Sequence, residues 1–310
     1  MTEHIVADNP ARVAACPALI RHAGAMPSIS SASDAVRAAV AVAASFGVKS
    51  AAPAVLADGA NVIVHLSPSP VVAKVASITP LVRPDTAAWL QRELDVASFL
   101  ARCGAPVGEP SPEIPATTHA GGGGVMSFWR YLGPGGAIPD EETIGSMLRD
   151  LHGALRGYSG AVPALAPLGD VGTFLARPET RLSAGDKSLL AAAFARLTAE
   201  LGESGSAAQV LHGDAGAGNL MAAGSGWVWH DFEDTCTGPV AWDLAASTAS
   251  QRMDGARVLS AYGADVDPVQ LAICQQLRLL HLTVWYSLYA ERFPRDRERA
   301  AELLAIWRTS

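Results

Sequence analysis

Hydrophobic and polar positions change rhythm several times along the chain. Residues 35–48 form an Ala/Val-rich run interrupted by Arg37. The run is shorter than the ~20 residues a membrane span needs, so it predicts a buried or half-buried helix capped near Ser33 or Asp34. The text then turns β-branched: NVIVHL (61–66) and VVAKVA (71–76) flank SPSP at 67–70, the pattern of two strands and a turn. DGAN at 58–61 marks a tight turn ahead of the first strand. Thr86–Arg102 returns to helical spacing through Trp89, Leu90, Leu94, Val96, Phe99 and Leu100, and Gly104, Pro106 and Pro110 end it. VMSFWRYL (125–132) reads as a short apolar strand between glycine-rich stretches at 121–124 and 133–136.

The second of those stretches is the expected hinge between an α+β part and a mainly helical remainder. Beyond it, Asp140 can cap a helix with Ile144, Met147, Leu148, Leu151 and Leu155 on one face, and another helix spans about residues 184–201. A compact segment at 210–246 precedes further helices, with no internal repeat and no low-complexity tail. The expected organisation is an N-terminal lobe over 1–132, including a helical extension over 1–50, and a C-terminal lobe over 133–310.

Composition narrows the function classes. A chain of 310 residues with net charge −7 and no Lys/Arg runs is a poor match for nucleic acid or an anionic membrane. Residues 1–8 carry Glu3 and Asp8 with no apolar stretch behind them, unlike an export signal. Cys16, Cys103, Cys236 and Cys274 are widely spaced with no CxxC, which predicts reduced thiols and a cytoplasmic protein. Of the 23 basic residues only Lys49, Lys74 and Lys187 are lysines. Lys49 and Lys187, in a turn and at a helix start, look dispensable.

The densest chemistry lies in LHGDAGAGNLM (211–221) and WVWHDFED (227–234), which read as a loop feeding a hairpin turned at 224–226. Antiparallel pairing brings Asn219 close to His230 and Asp231, with Asp214 on the loop before the first arm. HGD alone can be a glycine turn with an Asp cap. HGDxxxxN followed twelve residues later by an Asp ending an apolar strand is far more specific. Two carboxylates and an amide oxygen suit a hard cation such as Mg²⁺. Lys74 either points to water from an alternating strand or, if buried, must meet an anion. Glu93, on the apolar stripe of the next helix with Trp89, Val96, Ala97 and Leu100, is its natural partner. GDAGAG lacks the third glycine of GxGxxG, since Met221 stands there, and no Walker motif occurs.

Lys74 in VVAK, Glu93, HGDxxxxN and Asp231 follow the order and spacing of the aminoglycoside phosphotransferase-like family, which the chain resembles over about residues 56–246. MLRDLH (147–152) and GPVAWDLA (238–245) add to the likeness. The resemblance implies an α+β, protein-kinase-like two-lobed fold: a small N-terminal lobe with an antiparallel sheet and one key helix, and a larger, mainly helical C-terminal lobe. It implies ATP and Mg²⁺ as cofactors. Lys74, held by Glu93, would bind the α- and β-phosphates. Gly59 and Asn61 would cover the phosphates, and main-chain groups around Trp129, Arg130 and Tyr131 would receive the adenine. Asn219 and Asp231 would hold Mg²⁺. Asp214 would orient the acceptor hydroxyl and take its proton late, since a carboxylate beside Mg²⁺ is a weak base. Asp243 would cap its helix and brace the catalytic loop, as His212 and His230 would brace theirs.

Several positions depart from protein kinases. The loop LADGAN (56–61) lacks GxGxxG, Gly213 replaces an Arg, and Phe-Glu-Asp follows Asp231. Glu233 or Asp234 would be a second metal contact, a substrate contact or part of a solvated acidic turn. The implied reaction is phosphate transfer to a small hydroxylated molecule, an antibiotic being the first candidate and a sugar, amino sugar or amino alcohol the alternative. Helices after residue 246 balance their acids with arginines, which favours a less cationic, ring-bearing acceptor. Trp285, Tyr286, Tyr289 and Phe293 have the spacing of core packing. The rival readings are a nucleotide-binding pseudokinase and a metallophosphohydrolase liganded by His212, Asp214, Asn219, His230 and Asp231; the latter leaves Lys74 and Glu93 without a role.

Overall fold

A computed structural model describes residues 29–134, 138–205, 207–224, 226–248, 253–263 and 265–309. The residues of the export-signal reading, Cys16, the start of the helical extension, Gly135 and Gly136 of the hinge, and Ser225 of the hairpin turn lie outside these.

The alanine-rich run is helix α1 (Ala32–Ser45). Its N-cap is Ser31, two to three residues ahead of the expected Ser33 or Asp34, and Asp34 is the reciprocal partner in the first turn, accepting from the hydroxyls of Ser30 and Ser31 at 2.7 Å. Strands β1 (Ala54–Asp58), β2 (Asn61–His65) and β3 (Val71–Ala76) follow, then helix α2 (Thr86–Arg102) and strands β4 (His119–Gly121) and β5 (Gly124–Arg130). The strands form one antiparallel sheet in the order β1-β2-β3-β5-β4. Alternation divides its faces. Val62, Val64, Val71, Ala73, Val75, Met126 and Phe128 pack with Ala35, Ala38, Ala39 and Ala43 of α1. The cross-strand row Ile63–Lys74–Ser127 belongs to the other face. Strand β1 went unread because Val55 and Leu56 are both exposed on an edge strand, so it carries no alternation.

Helix α3 (Glu141–Leu155) starts at the expected cap, where Asp140 accepts from the Thr143 amide at 2.8 Å. The unforeseen α4 (Pro167–Ala176) and the expected α5 (Ala184–Glu203) come next. Two small two-stranded sheets pair β6 (Gln209–Leu211) with β9 (Cys236–Gly238) and β7 (Leu220–Ala223) with β8 (Gly226–Trp229). Helices α6 (Ala241–Thr248), α7 (Gly255–Tyr262), α8 (Pro268–Arg292) and α9 (Arg297–Thr309) complete the chain. Helix α8 is the spine: Leu277, Leu280, Val284 and Leu288 are fully buried in one core with residues of α4, α5, α6 and α9. Cys103, Cys236 and Cys274 are free thiols. Among the described residues no helix is long and apolar enough to cross a membrane.

Candidate active site

Strand β3 is buried on both faces, so Lys74 lies inside, 5% exposed. Its ammonium donates to Glu93 of α2 at 2.9 and 3.0 Å, to Asp231 at 2.5 Å, and sits 2.8 Å from Glu233. Three N–H donors thus meet three carboxylates, which repays the desolvation of the cation. Burial alone would lower the Lys74 pKa, but the three anions carry it well above its usual value. Burial pushes Glu93 upward against the pull of Lys74. Burial would also raise Asp231, yet Lys74 holds it down, to about 2.

The HGD segment leaves β6 as a loop clamped from four sides. Asp243 of α6 accepts the amides of His212 at 2.8 Å and Gly213 at 2.9 Å, and its carboxylate lies 3.0 Å from His152 Nε2. His212 Nε2 lies 3.0 Å from the carbonyl of His230. Gly213 has φ +90°, and a Cβ there would lie 1.8 Å from the carbonyl oxygen of Asp234. That close approach excludes any side chain and explains why no arginine stands at this position. The expected hairpin forms with Leu220 opposite Trp229, and the His230 amide donates to the Asn219 carbonyl at 3.0 Å. Asn219 Nδ2 donates to the Asp214 carbonyl at 2.7 Å and to its Oδ2 at 3.0 Å. Asp231 itself is left-handed, with φ 66°, a conformation Asp tolerates better than most residues and one that recurs at functional sites. The side chains of Asp214 and Asp231 are 39% and 38% exposed, in contrast to the 2% of Glu93, so these two carboxylates are reachable.

Two arginines escaped the sequence reading. Arg83, 2% exposed, donates to Asp170 of α4 at 2.6–3.1 Å, to Glu233 at 3.1 Å and to Asp234 at 2.5 Å, and lies 3.8 Å over the Trp89 ring. Trp285 Nε1 also donates to Asp170. Arg278 of α8 pairs with Asp214 and donates to the Gly213 carbonyl at 3.1 Å. Burial would raise the Asp214 pKa, and Arg278 overrides it downward. Neither arginine has a local motif. Each is one of many, and the only signal at Arg83 is a charge inside the apolar TPLVRP (79–84). Glu233 and Asp234, both 7% exposed, are buried ion-pair partners, not a solvated turn.

The loop between β1 and β2 closes over the same space. Asn61 donates to Glu233 at 3.0 Å and accepts from Thr79 at 3.0 Å; the Gly59 amide donates to the Asn61 carbonyl. Arg292, at the end of α8, and Arg295, just past it, reach the Asp58 carboxylate and carbonyl respectively. On the expected adenine side, Trp129 Nε1 donates to Ser127, and Tyr131 stacks on His65 at 3.8 Å. The amides of Arg130 and Tyr131 are committed to the carbonyls of Glu109 and Pro70.

Lys74, Asp214, Asp231 and Asn61 line one cavity of about 380 Å³ with Arg83, Arg278 and the α8 side chains His281, Leu282, Trp285 and Tyr289. The aromatic stripe therefore divides: Trp285 and Tyr289 face the cavity as well as packing, whereas Tyr286 and Phe293 are not part of its wall. Every carboxylate lining the cavity is ion-paired within the chain: Asp58 with Arg292, Asp214 with Arg278, Asp231 with Lys74, Glu233 with Lys74 and Arg83, Asp234 with Arg83.

A family model described as "Phosphotransferase enzyme family" matches residues 48–280. No curated protein matches the sequence. Among solved structures, a choline/ethanolamine kinase family protein from Mesorhizobium loti is similar at 18% identity and TM-score 0.57, over 90% of this chain and 94% of its own. An amicoumacin kinase in complex with AMP-PNP, Ca²⁺ and Ami has TM-score 0.64 at 12% identity, over 86% and 92%. An aminoglycoside phosphotransferase from Streptomyces rimosus has TM-score 0.55 at 16% identity, over 77% and 96%. At such identities the likeness is one of fold: an α+β protein with an antiparallel N-terminal sheet and a helical C-terminal part, in the protein-kinase-like arrangement.

Proposed function

Because the chain belongs to the phosphotransferase enzyme family, we propose that it moves the γ-phosphate of ATP to a hydroxyl of a small molecule. The observation that carries this reading is the cavity where Lys74, locked between Glu93 and Asp231, stands with Asp214. Phosphoryl transfer asks a protein for positioning and for charge on the equatorial oxygens more than for covalent chemistry. Lys74 would bind the α- and β-phosphates by giving up one of its three carboxylate contacts, with Glu93 keeping it aimed. Asp214 orients the acceptor hydroxyl. As the acceptor oxygen bonds to the γ-phosphorus and the bond to the leaving ADP breaks, the proton passes to Asp214 Oδ.

The donor set fits a divalent cation. Both N–H bonds of the Asn219 amide go to Asp214, which leaves its carbonyl oxygen for a metal, and Asp231 is an ionised, half-exposed carboxylate. Asn219 and Asp231 would hold Mg²⁺, which supplies charge neutralisation on the transferring phosphates. The adenine contact is proposed for main-chain groups around Trp129, Arg130 and Tyr131 other than the amides of Arg130 and Tyr131, which are bonded within the chain. The proposed lobes are 1–132 for the nucleotide and 133–310 for catalysis and the acceptor, in a cytoplasmic enzyme.

The acceptor reading favours an antibiotic or a similar hydroxylated, ring-bearing compound over a polycation. A polyamine needs unpaired carboxylates, and those lining the cavity are already paired. Leu282, Trp285 and Tyr289 offer apolar surface instead. The alternative acceptor is an amino alcohol or sugar metabolite. The test is an ADP-release screen over antibiotics, sugars and amino alcohols, with mass detection of a phosphate adduct. Asp214→Ala is expected to lower turnover by about 10³-fold while ATP affinity stays near wild type. Unchanged turnover in that variant overturns the mechanism, and phosphate released from esters without ATP would favour a phosphohydrolase.

A further inference from the structure

Helix α8 lends the catalytic loop a cation that the loop does not possess. Arg278 is 14% exposed and sits between the HGD segment and the cavity. Its Nη1 donates to the Gly213 carbonyl at 3.1 Å, the same oxygen that accepts from Trp242 Nε1 at 2.7 Å, and its guanidinium lies 5.2 Å from the centre of the Trp242 ring. Its Nη2 takes Asp214 Oδ1, while Asn219 takes Oδ2 at 3.0 Å. The two oxygens of the carboxylate are therefore held by different elements, one by its own loop and one by a helix some sixty residues away in sequence. Among the described residues no other side chain holds Oδ1. Of the Lys and Arg side chains lining the cavity, Lys74 and Arg83 are bound to Asp231, Glu233 and Asp234, and Arg278 alone reaches Asp214.

We infer that Arg278 is the positioning residue of the reaction: it fixes the rotamer of Asp214 and lets that carboxylate stand beside an anionic phosphoryl group. This role presupposes the phosphotransfer proposed above. A carboxylate and the γ-phosphate oxygens repel each other strongly at a few ångströms in a water-poor cleft, and a fixed guanidinium placed in advance removes the need to reorganise at the moment of transfer. Arg278 keeps its proton throughout; only Asp214 exchanges one with the acceptor. A planar fork can hold a carbonyl and a carboxylate oxygen at once, which an ammonium cannot do in the same geometry.

The experiment needs no knowledge of the acceptor, because water can serve as one. Basal ADP release from ATP and Mg²⁺ is measured for wild type, Arg278→Ala, Arg278→Gln and Arg278→Lys, each checked for folding by its melting temperature. The expected result is a loss of about 10²-fold in kcat for Ala and Gln with KM for ATP changed by less than about threefold, a smaller loss for Lys, and partial recovery of Arg278→Ala on adding millimolar guanidinium ion. A purely structural role predicts a loss that tracks the melting temperature and no recovery. Should Ala unfold, Gln carries the test, being close in size. Wild-type kcat in a folded Gln variant, or a loss confined to KM, overturns the role of Arg278 and leaves the phosphotransfer reading intact. A wild-type protein that yields no ADP with water or with any acceptor in the screen overturns both.

Discussion

An ammonium has three N–H bonds, and at Lys74 three carboxylates are ready for them, at 2.5–3.0 Å. A guanidinium has the same charge but a wider, planar shape, and on β3 it would displace Glu93 or Asp231. Lys74→Arg is therefore expected to cut kcat/KM for ADP release by about 10²-fold or more. Lys187→Arg serves as the control. Lys187 is not idle, since it donates to the Arg177 carbonyl at 2.6 Å beyond α4, but an arginine can make that bond too. Equal turnover in both variants would remove Lys74 from the mechanism. The pairing of Lys74 with Glu93 was legible because strand and helix are consecutive and the glutamate broke an apolar stripe. The second and third partners were not, because they arrive from residues 231–233.

Helices α2, α3 and α5 appear where the sequence puts them, α3 at its expected Asp140 cap, since an amphipathic repeat and a side chain able to accept N–H bonds act within a few residues. The start of α5 shows what a cap does beyond its own helix. Ser183 is the N-cap, and Asp186 in the first turn accepts two bonds of 2.8 Å from Arg308 of α9, which ties down the last helix. The bonds from Arg308 and Ser183 hold the Asp186 carboxyl down, at about 2. Its folded value lies below the ~3.9 of an unfolded Asp, so its stabilisation is complete above that pH and is lost as pH falls toward the folded value. Asp186→Asn is expected to cost about 1 kcal/mol near neutral pH, and the gap to wild type should narrow between about pH 5 and 3. Melting curves across that range check it; a gap that widens toward acid contradicts the ion pair. Helix α4 and strand β1 remained hidden for an elementary reason: a ten-residue helix carrying Gly169 and Gly172, and an exposed edge strand, have too little pattern to detect.

At the scale of the molecule, Arg83 joins the segment between β3 and α2 to α4 and to the turn after Asp231. It buries one cation among Asp170, Glu233 and Asp234, and Glu233 passes the link on to Lys74 and Asn61. Removing one partner of such a cluster strands the others, so Arg83→Met is expected to destabilise the fold by about 3–5 kcal/mol, read as a lower urea midpoint. An unchanged midpoint would mean that the cluster contributes nothing net. By itself the sequence determined helices α1, α2, α3 and α5, strands β2, β3, β5, β7 and β8, the HGDxxxxN motif and the Lys74–Glu93 pair, because each depends on periodicity or on neighbours along the chain. Only the tertiary structure decided that Arg83 is a second buried cation beside Lys74, that Arg278 pairs with Asp214, that Glu233 is an ion-pair hub, and that Trp285 and Tyr289 face the cavity. The carboxylates that pair with the two arginines lie 64 to 151 residues away, and a charge is worth burying only where packing has already excluded water and brought the opposite charge within reach.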